Sequence, residues 1–424
     1  MKKLSLRAKT WISIALFAAV FVTLICVATF YDFQVSQILT KNALKPGDYL
    51  ATDFFGVLGE AIGTTPIFLL IAFCIGVLFW FCLRIWDKKP YNIILAVVFF
   101  IGGIVAWWFF VKDITGYLFE HAGNDAFNKN AAVIGVQFFI AAILDVLMIF
   151  AMKNFKDETI KKLFKFAIVA LAAAVLANVI IAIVKNPVGR MRYRAINSDL
   201  GQAYIEAGKV QGYTRWYVIN KQPSADVLDA FRNTYDGVKD AFKSFPSGHT
   251  CAAGMLYSLM LLPSLFEFKK KGTKVLCWVL PIALTMLVAI SRIVCGAHYM
   301  SDVTFGGTIA FLSMMLSREI FICRGSHFKA IFAKKGVEAV SDAGELGAIA
   351  EQNDNAENGT VGNDPLENDA SENDAVFAFD TENGAEEVVI ADSNATDSAE
   401  IADASIDSSE DMQEESTSQE EDKE

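Results

Sequence analysis

Lys185 and Arg192 stand just beyond one strongly apolar run of this 424-residue chain, and Ser247, Gly248 and His249 stand at the start of the next. Ser291, Arg292, His298 and Asp302 lie at and between the facing ends of the last two runs. These residue types suit an oxyanion. Lysine and arginine donate to phosphate oxygens, and the arginine fork does so with two parallel bonds. Gly248 allows close backbone approach, and "PSGH" could open a helix whose amides point at an anion. Asp302 follows His298 by four residues, so a helix would set both on one face. A carboxylate there can hold one imidazole nitrogen and leave the other free to attack. His249 has the chemistry to protonate a leaving oxygen.

Taken singly, a histidine at a helix end is ordinary structure, and a serine–arginine pair at a membrane surface is an anchor. Two histidines, an aspartate and three cations together are not explained by anchoring. Two histidines and a carboxylate can also bind iron or zinc. Lys185, Arg192 and Arg292 would repel such a cation, so the expectation is anion chemistry with no metal and no other cofactor. The seven cysteines show no paired spacing and read as small buried hydrophobes. Asp145, Gln137 and Asn178, inside apolar runs, read as interhelical hydrogen-bonding groups, and His121 and His327 match no motif.

The elements that must position these groups are membrane helices. The chain is 54% hydrophobic with 34 phenylalanines, and a spanning helix needs roughly 20 mostly apolar residues. Eight runs qualify: 11–30, 64–83, 91–111, 131–152, 163–184, 249–266, 275–291 and 299–317. The expected fold class is all-α, a polytopic helical membrane bundle of about eight transmembrane helices. Residues 1–30 read as a retained first helix, because their apolar run exceeds the ~7–15 residues of a signal h-region. The expected divisions are N-terminal transmembrane helices over 1–152, a core over 153–335 with a long outer loop at 185–248, and a tail over 336–424.

The net charge of −11 averages two unlike regions. From Gly336 onward there are 28 acids and one base, Lys423; subtracting these from 48 and 37 leaves 20 acids and 36 bases before it. The membrane part is therefore basic. The tail, poor in aromatics, is expected to be disordered, with a basic protein as its possible partner. Short basic segments mark the cytoplasmic side. They occur at 2–9, 84–89, 153–165, 267–274 and 318–335, which places both termini in the cytoplasm and the polar cluster on the outer face of the plasma membrane. Leu228, Phe231, Tyr235, Val238 and Phe242, in the outer loop, recur at helical spacing. They predict a short helix packed on the bundle ends or lying at the interface.

The cluster resembles the type 2 phosphatidic acid phosphatase superfamily, whose signature runs K-x6-R-P, P-S-G-H, then S-R-x5-H-x3-D. Lys185 and Arg192 have the first spacing, Pro246–His249 match the second, and Ser291, Arg292, His298 and Asp302 match the third. Tyr193 replaces the usual proline, and Arg190 and Arg194 flank Arg192. The resemblance covers about 163–317. It implies that His298 is a nucleophile forming a phosphohistidine, oriented by Asp302, with His249 as acid and later base. Lys185, Arg192, Ser247, the Gly248 amide and Arg292 would bind the phosphoryl oxygens. The implied substrate is a membrane lipid phosphate or diphosphate such as undecaprenyl diphosphate, with no nucleic-acid partner. A lipid phosphotransferase of the same chemistry, and a transporter or scaffold with an anion site, are the alternative functions.

Overall fold

In lipid each backbone N–H and C=O must find its partner within the protein, which leaves helices for runs of this length. A computed structural model describes residues 5–40, 49–121, 125–233 and 240–332, all within one compact unit, Met1–Glu351. No strand occurs among the described residues. The acidic tail, 336–424, lies outside them.

Five long helices come first: α1 (Leu6–Leu39), α2 (Tyr49–Arg84), α3 (Tyr91–His121), α4 (Ala131–Met152) and α5 (Asp157–Val188). Ser5 and Asn130 cap α1 and α4 with side-chain oxygens that accept from Ala8 and Ala132 amides. Gly189 ends α5 in the left-handed region, φ 56° and ψ 31°. A Cβ there would strike the Lys221 carbonyl, so glycine is required. The long connection 185–248 then carries α6 (Tyr193–Ile196), α7 (Asp199–Glu206) and α8 (Ala225–Asn233). The sixth apolar run is broken into α9 (Gly248–Gly254), a 3₁₀ stretch (Met255–Leu261) and α10 (Leu262–Leu265). After it come α11 (Lys271–Val294), α12 (Met300–Phe321) and α13 (Ser326–Phe332).

Six helices among the described residues are long and apolar enough to cross a membrane, and a seventh arises if α12 and α13, bent by 92°, count as one. The run at 249–266 does not qualify because its helix changes type twice. The run at 299–317 is diluted by polar residues at its start. Leu16, Phe30, Phe139, Phe150, Val175 and Ile183 face outward, each more than half exposed. A surface this apolar is one a bilayer covers. The interior is closed instead by small residues: Ala167, Ala170, Ala173, Ala174 and Ala177 of α5 are buried with Cys74 and Val77 of α2 and Ala310 and Met314 of α12. Small side chains let backbones approach closely where lipid supplies no hydrophobic drive. Helices from both sides of residue 152 share this core.

Helices α1, α3, α5 and α11 run toward the end of the bundle at which α2, α4, α9 and α12 begin. At the opposite end Arg84 pairs with Asp157 and donates to the Phe155 carbonyl at 2.8 Å, so two of the basic segments meet there. In that long connection, α8 holds Leu228 and Phe231, whereas Tyr235 and Val238 lie outside the described residues. Phe231 packs on Phe242 at 5.1 Å and is buried with Met191, Val227, Ala241 and Tyr299. The loop thus has a small core of its own against the bundle end.

Candidate active site

The three sequence pieces converge at that end. Lys185 lies in the last turn of α5, and its Nζ is 3.5 Å from where a Cβ on Gly248 would sit. Beyond the Gly189 turn the chain pairs with the segment before α9. The Arg192 amide donates to the Ala241 carbonyl at 2.7 Å, and the Ser244 amide to the Arg190 carbonyl at 3.1 Å. The Ser247 amide in turn donates to the Asp302 carbonyl at 3.0 Å, tying "PSGH" to the start of α12. The Ser247 hydroxyl caps α9, accepting from the Thr250 amide at 3.4 Å and lying 3.0 Å from the Thr250 hydroxyl. Gly306 of α12 packs so closely on the Ser247 carbonyl that a Cβ could not fit.

The arginines of "GRMRYR" separate into different tasks. Arg190 is wholly buried. It donates to Asp32 at 2.9 Å, to Asp302 at 2.6 Å, to the Ser301 hydroxyl at 2.8 Å and to the Thr214 carbonyl at 2.9 Å. Its guanidinium also lies 4.1 Å from the centre of the Tyr299 ring. Arg190 is therefore spent on structure. Arg192 comes no nearer than 4.0 Å to Asp240, and its Nε has no hydrogen-bond partner. Tyr193, at the usual proline position, packs on Phe33 at 5.5 Å and on Tyr299 at 6.4 Å. It joins α1 to the site by ring contacts.

In the third piece, Gly296 (φ 61°) turns the chain between α11 and α12. The Ala297 and His298 amides both donate to the Arg292 carbonyl, at 3.1 and 3.2 Å. His298 is fully buried, and its Nδ1 lies 2.5 Å from the Ser244 carbonyl. A carbonyl only accepts, so Nδ1 carries the proton and the lone pair of the neutral ring is on Nε2. Asp302 was expected to hold this nitrogen. It lies farther away, 3.8 Å from Nδ1, and instead accepts from the Ser244 hydroxyl at 2.5 Å and the Tyr299 amide at 2.9 Å. Its side chain therefore reaches the imidazole mainly through Ser244.

Burial pushes His298 down to about 3; the nearby Asp302 carboxylate opposes this and the Arg192 charge adds to it. The ring is neutral at physiological pH. Asp240 is raised by burial, but Arg192 and Lys243 more than offset this and hold it below the usual carboxylate range. His249 and His298 lie within electrostatic reach of each other and of Lys185. Among the described residues, His298 Nε2, Arg192 Nε, Arg194 Nε and both Nε and Nη1 of Arg292 are buried without a hydrogen-bond partner. Buried donors left unpaired are costly and rare. Unpaired arginine donors and a bare imidazole nitrogen, with Arg192 and Lys185 in electrostatic reach of His298, suit a tetrahedral oxyanion. No trio of histidine, cysteine or acidic donors with metal-ligand spacing occurs in this cluster among the described residues.

Residues 166–322 match the family model of the PAP2 superfamily. That segment is similar to the PAP2 superfamily. It runs from within α5 through α12, carries all the expected site residues, and brings phosphatase-type chemistry on phosphate esters. No curated protein and no solved structure matches the chain.

Three further groups approach the PAP2 site from outside the matched segment, and the sequence reading did not include them. Asp32 of α1 accepts from Arg190 and from the Ser301 amide at 2.8 Å. Glu60 of α2 accepts from Arg292 at 2.6 Å and lies 4.0 Å from Arg194. Tyr117 of α3 places its hydroxyl 3.2 Å from His249 Nε2. An acid two residues past the first apolar run was the available signal for Asp32. Glu60 and Tyr117 precede or end their runs in ordinary polar company and carried no signal.

Proposed function

We propose that this protein is a membrane-embedded, metal-independent phosphatase that hydrolyses a lipid phosphate or diphosphate through a phosphohistidine at His298. The observation that carries this reading is the state of that ring: Nδ1–H is committed to Ser244, and the bare Nε2 is buried beside cations.

In the first step the Nε2 lone pair attacks phosphorus, the bond to the lipid oxygen breaks, and His249 gives that oxygen a proton. Tyr117, hydrogen-bonded to His249 Nε2, positions the acid. Lys185, Arg192, Arg292, the Ser247 hydroxyl and the Gly248 amide hold the non-reacting oxygens. Phosphoryl transfer needs chiefly such positioning and compensation of spread charge. In the second step His249 takes a proton from water, the oxygen attacks phosphorus, and the P–N bond breaks to restore His298. The positive charge that the imidazole gains as phosphohistidine is met by the Ser244 carbonyl and, at 3.8 Å, by Asp302.

Lipid substrates follow from placement at the ends of apolar helices, where a headgroup reaches the cations while its chains stay in the bilayer. A polyprenyl diphosphate, phosphatidic acid or phosphatidylglycerol phosphate has the required group. The basic segments at the other end of the bundle support an outward-facing site in the plasma membrane.

The test is phosphate release by purified protein in detergent with EDTA, comparing these three lipids with p-nitrophenyl phosphate. Release from a lipid at least tenfold faster than from the soluble ester, undiminished by EDTA, is expected. Equal rates, or loss of activity with EDTA, would overturn the lipid or metal-independent part of the proposal. Phosphate passed to an added acceptor instead of water would make the protein a transferase.

A further inference from the structure

At the opposite end of the bundle, Glu319, Cys323 and His327 are spaced four apart, at the end of α12 and the start of α13. On a continuous helix Glu319 and His327 would stand about 12 Å apart along the axis. The 92° bend between the two helices folds His327 back instead. One ligand atom from each of the three residues then lies within 4.8 Å of the others.

The carboxylate is already oriented. Glu319 Oε1 accepts from the His327 backbone amide at 2.8 Å, and Oε2 lies 2.9 Å from His327 Nδ1. Glu319 is buried, Cys323 is half-buried, and the His327 side chain is 26% exposed, so an ion has a route in. Ligand atoms on a zinc tetrahedron, with bonds of about 2.0–2.3 Å, are roughly 3.3–3.8 Å apart. The cluster reaches that size by small side-chain adjustments. One thiolate, one imidazole and one carboxylate form a mixed S/N/O set, which suits zinc and not magnesium or calcium. The two anionic ligands also cancel the charge of a divalent ion among Arg318, Arg324 and Lys329.

We propose that Glu319, Cys323 and His327 form a Zn²⁺ site that fastens α13 against the end of α12, with water as the fourth ligand. Binding releases the thiol proton and takes His327 as the neutral imidazole with its proton on Nε2, while the backbone bond to Oε1 remains as the support that aims the carboxylate. The site is independent of the phosphatase reading and lies at the other end of the bundle.

Full-length protein in detergent, stripped with chelator, would be titrated with Co²⁺ and then Zn²⁺. Expected are one equivalent of Co²⁺ with visible d–d bands and a thiolate charge-transfer band, displaced by Zn²⁺. Cys323→Ser should abolish the charge-transfer band and weaken Zn²⁺ binding at least tenfold. His327→Gln, which keeps a donor for Glu319, should weaken it similarly without loss of thermal stability in the metal-free protein. His298→Ala should bind as wild type does. No stoichiometric binding by wild type, or binding that survives Cys323→Ser and His327→Gln, would overturn the proposal and leave a hydrogen-bonded brace.

Discussion

Asp32→Ala removes one carboxylate from α1, far in sequence from the three motifs, and tests whether that helix is part of the site. Asp32 is 1% exposed and makes three bonds: from Arg190 at 2.9 Å, from the Ser301 amide at 2.8 Å and from the Ser301 hydroxyl at 2.5 Å. The substitution leaves Nη2 of a buried guanidinium and a backbone N–H without acceptors. Removing one partner of a buried pair costs about 3–5 kcal/mol. At about 2 °C per kcal/mol, the lower end for domains of 150–250 residues, this lowers the Tm by roughly 6–10 °C. Thermal unfolding in one detergent, with Leu16→Ala on the outward face as control, reads the effect. Turnover should fall as well, because Arg190 also holds Asp302, which holds Ser244, which holds His298. A Tm within about 2 °C of wild type, with unchanged turnover, would refute this chain of support.

Arg192→Ala should behave in the opposite way: a loss of about 10²-fold in kcat/KM, comparable to removing one donor to a developing oxyanion, with little change in Tm. A fall in stability equal to that of Asp32→Ala would show that Arg192 is structural like Arg190. Tyr117→Phe should lower kcat about tenfold, the worth of roughly one hydrogen bond, and leave KM nearly unchanged; a change in KM alone would place Tyr117 in substrate binding. His298 is held near 3 in the folded protein and titrates near 6.5 when unfolded. The unfolded state therefore takes up the proton first as pH falls, and stability is lost from about pH 6.5 downward. Relative to His298→Gln, wild type should lose about 2–3 kcal/mol between pH 7 and pH 4.5; a constant difference across that range would refute the depressed titration.

The sequence made the helices legible because long apolar runs in lipid have one solution. Lys185, the "PSGH" turn and "SRIVCGAH" were legible because each sits at a helix end, where side-chain spacing survives folding. Only the spacing from Lys185 singled out Arg192 over Arg190, since nothing else in "GRMRYR" says which side chain turns inward; the Gly189 turn and the two carboxylates take up Arg190. Asp302 at four residues from His298 suggested a direct bond, but an N-terminal carboxylate also caps its own helix. Here it accepts from the Tyr299 amide instead. Asp32, Glu60 and Tyr117 reach the site across long sequence separations, which no local pattern encodes. The break in the sixth run was not legible, because composition does not reveal a change from α to 3₁₀ winding at Met255.

The most direct measurement is rapid acid-free quenching of the protein with a ³²P-labelled lipid phosphate, followed by peptide mapping. The account predicts a phosphoenzyme that is stable in base, labile in acid, located on the peptide containing His298 and absent from His298→Ala. Full turnover by His298→Ala, or label on any other residue, would contradict it.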